Sequence, residues 1–414
     1  MKIYQTYVLL VFSAFLLLSA CDRGNGEGTT SLTTYSFVSP LETGAIDENA
    51  KTISVIVPHG TDVTALVATF TTTGANVMVG DTIQVSGTTP NNFVNSVVYT
   101  VTDADGLTAT YTVTVTVAVH EIYVTNKGNS TVSVFDASAD GNVIMRLCDP
   151  SGFSRRSGIA VDTVNNQLFV VNYRAIEVYE RTAKGALGQV RAISGGSTGL
   201  YHPRGIAVDT VNNDIFVTNF TPGGPNDVAP NNSITVYGRT DSGNVRPTRT
   251  ISGAHTGLWV PNGIVVDTVN NQIFVTNSGS NSIKVFRTSD NGDVSPIRTI
   301  FGASTGLSYP YGIAFDAIHS LIFVTDSLNN SLMVFGTSDS GDVAPIRTIS
   351  GANTGLSVPQ GIAVDTTNNK LFVTNGGNDS ITVYGSTDSG NIAPERTIAG
   401  TSAGLSNPVG IALW

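Results

Sequence analysis

Cysteine is nearly absent, with two residues, Cys21 and Cys148, in a chain of 414. Charge is also scarce: Asp, Glu, Lys and Arg make up 13%, and 21 basic against 31 acidic residues leave a net charge of −10. Two cysteines cannot staple an exported fold, so stability must come from packing. The acidic balance disfavours phosphate-backbone binding and excludes nucleic acid as the expected partner. Beyond residue 20 the 3.6-residue apolar period of a helix is missing. What is abundant is Gly, 43 residues, together with Thr, Ser, Val and Asn. Branched residues suit pleated strands and Gly and Asn suit tight turns, so the composition is that of an all-β protein.

The N-terminus reads as an address. Lys2 supplies a positive charge and Val8 to Leu18 is predominantly apolar, too short to span a bilayer. Leu18-Ser19-Ala20-Cys21 follows, and small residues before a cysteine resemble the lipobox of bacterial lipoproteins. The resemblance implies a signal peptide over 1–20 and lipidation of Cys21, with an ordinary signal peptide as the alternative. The expected location is the bacterial cell envelope, lipid-anchored and periplasmic or surface-facing. Residues 21–32 are polar and Gly-rich, a flexible tether. Cys148, left without a partner, reads as a small buried hydrophobe.

Residues 33–118 alternate. Strands are expected at Thr52 to Val57, Ala65 to Thr71, Val97 to Thr102 and Thr108 to Val117, with Tyr111, Val113, Val115 and Val117 on one face of the last. Asp103-Ala104-Asp105-Gly106 reads as the hairpin turn joining the last two. Short strands over this length predict a β-sandwich. The closing DADGLTATYTVTVTV resembles immunoglobulin-like or cadherin-like modules of bacterial surface proteins.

From 119 to 414 the chain repeats itself. GIAVDTVNNQLFVVN at Gly158 returns at Gly205, Gly263, Gly312 and Gly361, at intervals of 47, 58, 49 and 49 residues, and Gly410 opens a partial copy after another 49. Such a period marks a solenoid or propeller. Each full unit carries four strand candidates, as a propeller blade does. Ile122 to Asn126, Val132 to Phe135 and Asn142 to Leu147 supply second, third and fourth strands without a first, and Gly410 to Trp414 a first without the others. Joined, they make a sixth blade and leave no open edge. The fold class is therefore all-β, an N-terminal β-sandwich followed by a six-bladed β-propeller closed by strands from both ends of its segment. IYVTNKGNSTVSVFD and the recurring GIAVD, FVTN and SITVYG resemble NHL and YVTN β-propeller repeats. That resemblance implies scaffolds, ligand binders, lyases and lactonases alike. YVTN proteins often carry seven blades, where this chain supplies strands for six.

Residues present in every unit read as blade-building. Asp162, Asp209, Asp267, Asp316 and Asp365 end first strands and are expected to accept turn N–H groups. Asn126, Asn172, Asn219, Asn277 and Asn375, with Asp326, end second strands and are expected to cap the following loop. Fourth-strand Arg146, Arg191, Arg249, Arg298, Arg347 and Arg396 are expected to pair with nearby acids. Of five histidines, His59 falls in the sandwich, His120 at the junction and His319 in a turn; His202 and His255 precede first strands at non-equivalent positions. Zinc requires three or four converging ligands, and no such set is visible, so no metal, cofactor or catalytic residue is assigned.

The informative positions are those that vary. Loops entering first strands read L-x-x-P-x-G, and their variable positions hold Tyr201, His202 and Arg204, then Trp259 and Asn262, then Tyr309 and Tyr311, then Gln360. The long insertion Phe220 to Asn232 belongs to the same face. These eight residues form the candidate ligand site, for a protein or glycan of the cell envelope; loop drift without a ligand is the alternative. The propeller resemblance adds a second functional class, a lactonase-like hydrolase or lyase acting in the central channel.

Overall fold

The computed structural model describes residues 30–57, 61–117, 120–144, 147–148, 157–181, 187–221 and 232–414. Cys21, His59, Arg146 and most of the insertion after Phe220 lie outside the described residues. The chain divides into two compact units between Ala118 and Val119. Apart from three-residue 3-10 turns, the described elements are strands.

The N-terminal unit is built from two sheets. One orders Leu32–Phe37, Leu66–Thr72 and Pro90–Asn91; the other has six strands with Thr108–Val117 near its middle. Alternation dictates the core: Ile53, Val55 and Val57 are buried while Thr52, Ser54 and Ile56 face out. They pack with Tyr35, Phe37, Phe93, Tyr99, Tyr111 and Val113, and with the partly buried Val115 and Val117. Thr52–Val57 runs parallel to Thr112–Val117. In the hairpin, Asp103 Oδ1 accepts the N–H groups of Leu107 at 2.8 Å and Asp105 at 3.0 Å, and Gly106 takes φ +86°. Those bonds, Leu107 first, hold the Asp103 carboxyl below its usual range.

The second unit is a propeller-type fold of six four-stranded antiparallel sheets among the described residues. In the sheet that opens with Pro203–Asp209, Asp214–Asn219, Ser233–Gly238 and Arg249–Ile251 follow outward in chain order. The sheets beginning at Ile159–Asp162, Pro261–Asp267, Pro310–Asp316 and Pro359–Asp365 repeat that order. The sixth is assembled from both ends of the unit: Pro408–Leu413 pairs with Glu121–Asn126, then Thr131–Asp136 and Leu147–Cys148. Its outer strand is Leu147–Cys148 rather than the expected Asn142 to Leu147; Gly141 instead makes a parallel bridge to Ile398 of the neighbouring sheet. Second strands are buried on both faces, as Ile215, Phe216 and Val217 are, because each sheet is packed between two others. Each such side chain contributes about 1.5–3 kcal/mol.

The repeated residues are the stitching between sheets. Thr218, Thr276, Thr325 and Thr374, from the FVTN runs, each accept their own sheet's Gly N–H at 2.8 Å. Each donates to a carbonyl of the next inner strand, those of Asn262, Tyr311, Gln360 and Val409, at 2.5–2.8 Å. The glycines permit this approach. A Cβ on Gly312 would stand 2.2 Å from the Gln360 carbonyl oxygen, and one on Gly410 would stand 2.4 Å from that of Ser157.

First-strand aspartates behave as expected: Asp209 Oδ1 accepts Val211 N–H at 3.0 Å and Asn212 N–H at 2.9 Å. Of the second-strand set, Asn172 and Asp326 cap the following loop as expected, accepting the N–H groups of Arg174 at 3.3 Å and Asn329 at 3.1 Å. Asn126, Asn219, Asn277 and Asn375 accept their N–H groups elsewhere. Asn219 reaches back to Tyr201 N–H at 3.1 Å and Asn277 to Trp259 N–H at 2.7 Å. The arginines also differ from expectation. Of the five described, Arg249 pairs with a carboxylate, Asp214, at 2.6 Å. Arg191, Arg298, Arg347 and Arg396 donate to backbone carbonyls of Arg239, Thr337, Ser386 and Ala137 in the adjoining sheet. In these four repeats the carbonyl is presented by a third-to-fourth-strand turn of the adjoining sheet, so a fixed acceptor replaces a scarce acid.

Candidate functional site

Six inner strands converge, and the residue before each repeated Gly is Ser157, Arg204, Asn262, Tyr311, Gln360 or Val409; five of these line one cavity and Gln360 does not. A cavity of about 80 Å³ is lined by the six Gly-Ile pairs that follow, together with Ser157, Arg204, Asn262, Tyr311 and Val409. The isoleucines, Ile159, Ile206, Ile264, Ile313, Ile362 and Ile411, make an apolar floor. A second cavity of about 100 Å³ is lined by Lys127, Tyr173, His202 and Pro203 and shares Ser157, Arg204 and Tyr311 with the first. The shared residues define the channel mouth.

Phe220 and Ser278, each directly after a second-strand Asn, support this lining. Phe220 lies under the Arg204 guanidinium at 4.5 Å, and Arg204 donates to Asn262 Oδ1 at 2.7 Å. Asn262 in turn donates to Ser278, whose hydroxyl reaches the Pro310 carbonyl at 2.5 Å. Gln360 Nε2 donates to Asn407 Oδ1 at 3.0 Å. Tyr311 is partly exposed as a residue but its phenol is buried, and that burial pushes it above its ordinary range against the pull of the Arg204 charge and the neighbouring Ser157. It stays a protonated donor through the physiological range.

Tyr201 and His202 stack at 4.7 Å with 4° between planes, and Tyr173 lies 4.6 Å from the His202 ring. Arg174 sits over Tyr201 at 5.3 Å. The loop strains to do this: His202 has φ +41°, and the equivalent Val260 and Val358 have +54° and +47°. Tyr309, the equivalent residue in the next sheet, escapes the left-handed region. There Asp326 replaces Asn, and its carboxylate accepts the N–H groups of both Ser308 and Tyr309.

Of the eight expected site residues, Arg204, Asn262 and Tyr311 line the first cavity and His202 joins Arg204 and Tyr311 at the second. Neither lining includes Tyr201, Trp259, Tyr309 or Gln360. Trp259 packs over Gly279, where a Cβ would stand 2.6 Å from its ring. Sequence reasoning missed Ser157, Lys127 and Tyr173. Ser157 occupies the same x-G-I register as Arg204, and Lys127 and Tyr173 each follow a second-strand Asn, so the signal was present. The remaining described histidines are engaged elsewhere: His255 with Asp293 and His319 with Asp316, both at 2.8 Å, and His120 with Asp365 at 3.5 Å. Among the described residues no three His, Cys, Asp or Glu side chains gather as a metal site would need.

The fold and the axial site define a β-propeller protein. Residues 125–403, well over half of the chain's 414, match the family described as Lactonase, 7-bladed beta-propeller, and the chain belongs to that family. The family description has seven blades, whereas the described residues form six four-stranded sheets. Residues 32–115 match the family described as SGBP, N-terminal. No curated protein matches the chain. Among solved structures, a chain of the nidogen/laminin complex is 18% identical, with 71% of this chain and 98% of that one covered at a TM-score of 0.51. The periplasmic gluconolactonase of Pseudomonas aeruginosa is 14% identical, with 72% and 99% covered at 0.48.

Proposed function

We propose that the propeller, a ring complete at six blades, binds a small carbohydrate-class ligand at its channel mouth. The chain would do so in the bacterial cell envelope, lipidated at Cys21 and carried on an immunoglobulin-like stalk. One observation carries the reading: Arg204, Tyr311 and Ser157, from three different sheets, are shared by two adjoining cavities. Hydrogen-bond donors there stand beside the flat faces of Tyr173 and His202, the combination that sugar rings use. Cavities of about 80 and 100 Å³ favour the end of a glycan over a folded partner. A glycan screen on the full chain tests this: a ligand is expected whose affinity falls at least tenfold in Tyr311→Ala or Arg204→Gln. A ligand that both folded variants bind at full strength would place the site elsewhere.

Membership of a lactonase family favours a second reading, hydrolysis of a sugar lactone at the same mouth. Arg204 and Tyr311 would then hold the carbonyl oxygen, and His202 would be the imidazole that takes a proton from water. Acid release from an aldonolactone no faster than without protein would dismiss it.

A further inference from the structure

The charge at the mouth runs against that of the chain. The net charge is −10, yet among the described residues the linings of the two cavities contain Arg204 and Lys127 and no aspartate or glutamate. Arg174 stands alongside, over Tyr173 at 5.4 Å and Tyr201 at 5.3 Å. Neither Arg174 nor Arg204 has a carboxylate partner among the described residues.

Two nearby amide acceptors are already taken. Asn262 Oδ1 is occupied by Arg204 and Asn407 Oδ1 by Gln360. What remains is the rest of the Arg204 fork, held beside the Tyr311 hydroxyl, which is itself engaged by Arg204 and Ser157. Arg204 is half-buried and its plane is fixed between Asn262 and Phe220, so little ordering is left for a ligand to impose. A planar guanidinium held this way matches a carboxylate through two parallel bonds. Walls of low dielectric strengthen that attraction.

We infer that the mouth selects an anionic sugar bearing a carboxylate, of the uronic acid class, with Arg204 as its anchor. This rests on the carbohydrate reading above. It separates from that reading by comparing glucuronate, glucose and glucose 6-phosphate on the full chain by calorimetry. Glucuronate is expected to bind at least tenfold more tightly than glucose, with the preference shrinking as salt rises from 20 to 500 mM. Arg204→Gln should abolish the preference and Arg204→Lys should keep part of it, since charge survives and the fork does not; melting curves establish that both are folded. Equal binding of glucose and glucuronate overturns the inference and leaves the carbohydrate site standing. A preference for glucose 6-phosphate overturns the carboxylate assignment. Failure of all three probes overturns the uronate class, while the glycan screen separately decides the broader reading.

Discussion

The Thr125 hydroxyl donates to the Ser157 carbonyl oxygen at 2.5 Å and accepts the Gly410 N–H at 2.8 Å. This places residues from near both ends of the propeller unit in one stitch, with the geometry seen between sheets that are adjacent in sequence. Thr125→Val keeps the shape, removes both bonds and leaves a buried carbonyl short of a partner, at a cost of about 1–3 kcal/mol. Thr276→Val, at an interior junction, should cost the same. A Thr125 variant with an unchanged denaturation midpoint beside a weakened Thr276 variant would mean the join between the ends is not closed.

The glycines make a sharper contrast. Gly312→Ala sets a methyl against the backbone oxygen of Gln360, where a Cβ would stand at 2.2 Å, and neither strand has room to retreat. A loss of about 1–3 kcal/mol or more is expected. Gly188, in an outer strand, has nothing within 4 Å of the same methyl, and Gly188→Ala should stay within about 0.5 kcal/mol. Equal midpoints for the two variants would contradict the close approach of the inner strands.

How much of this was legible follows from how local each signal is. The pairing of Pro408–Leu413 with Glu121–Asn126 could be counted in advance, because a repeat that lacks one strand announces its missing piece. Parallel pairing of Thr52–Val57 with Thr112–Val117 could not, since both read as alternating strands whichever neighbour they choose. The backward reach of Asn219 to Tyr201 was invisible for a similar reason: turn chemistry reads forward from a residue, and an 18-residue return is tertiary. At the site, variation between repeats pointed to Arg204, Asn262 and Tyr311. It also pointed to Trp259, because variability marks a loop and not the direction its side chain takes. Ser157 was passed over because its loop lacks the L-x-x-P frame.

Buried phenols set the alkaline limit. Tyr384 donates to the Thr354 carbonyl at 2.5 Å, and burial pushes its pKa up to about 12. An unfolded tyrosine ionises near pH 10. Its contribution is therefore complete below about pH 10 and is lost as pH climbs through about 12. Tyr384→Phe should lower the neutral-pH midpoint by about 1 kcal/mol and flatten the fall in stability between pH 10 and 12. An unchanged alkaline slope would assign that fall to other groups.

The proposed anchor has a direct test. With Cys21 lipidated, Cys21→Ser should move the protein from the membrane to the soluble fraction. More than one acyl chain is expected, because a single chain holds a protein only marginally. Membrane association that survives the substitution would remove the lipoprotein reading.

One junction lacks its stitch. Where the other sheets carry the Thr of VTN, the sheet opening at Ile159 carries Val171, and the carbonyl it would reach belongs to Arg204. That carbonyl is in place, 2.4 Å from where a Cβ on Gly158 would stand, matching its counterparts around the ring. Val171 itself is fully buried. Val171→Thr would therefore offer a hydroxyl to Arg204 and an acceptor to Gly158 N–H, and should raise stability by about 0.5–1.5 kcal/mol. A hydroxyl that found neither partner would instead cost about 1–3 kcal/mol. The denaturation midpoint thus reports by its sign whether the first junction has the geometry of the others. If the bond forms it also pins the backbone of the proposed anchor residue, so ligand affinity at the mouth should hold or improve. A drop in midpoint would show that the Arg204 strand sits differently from its equivalents.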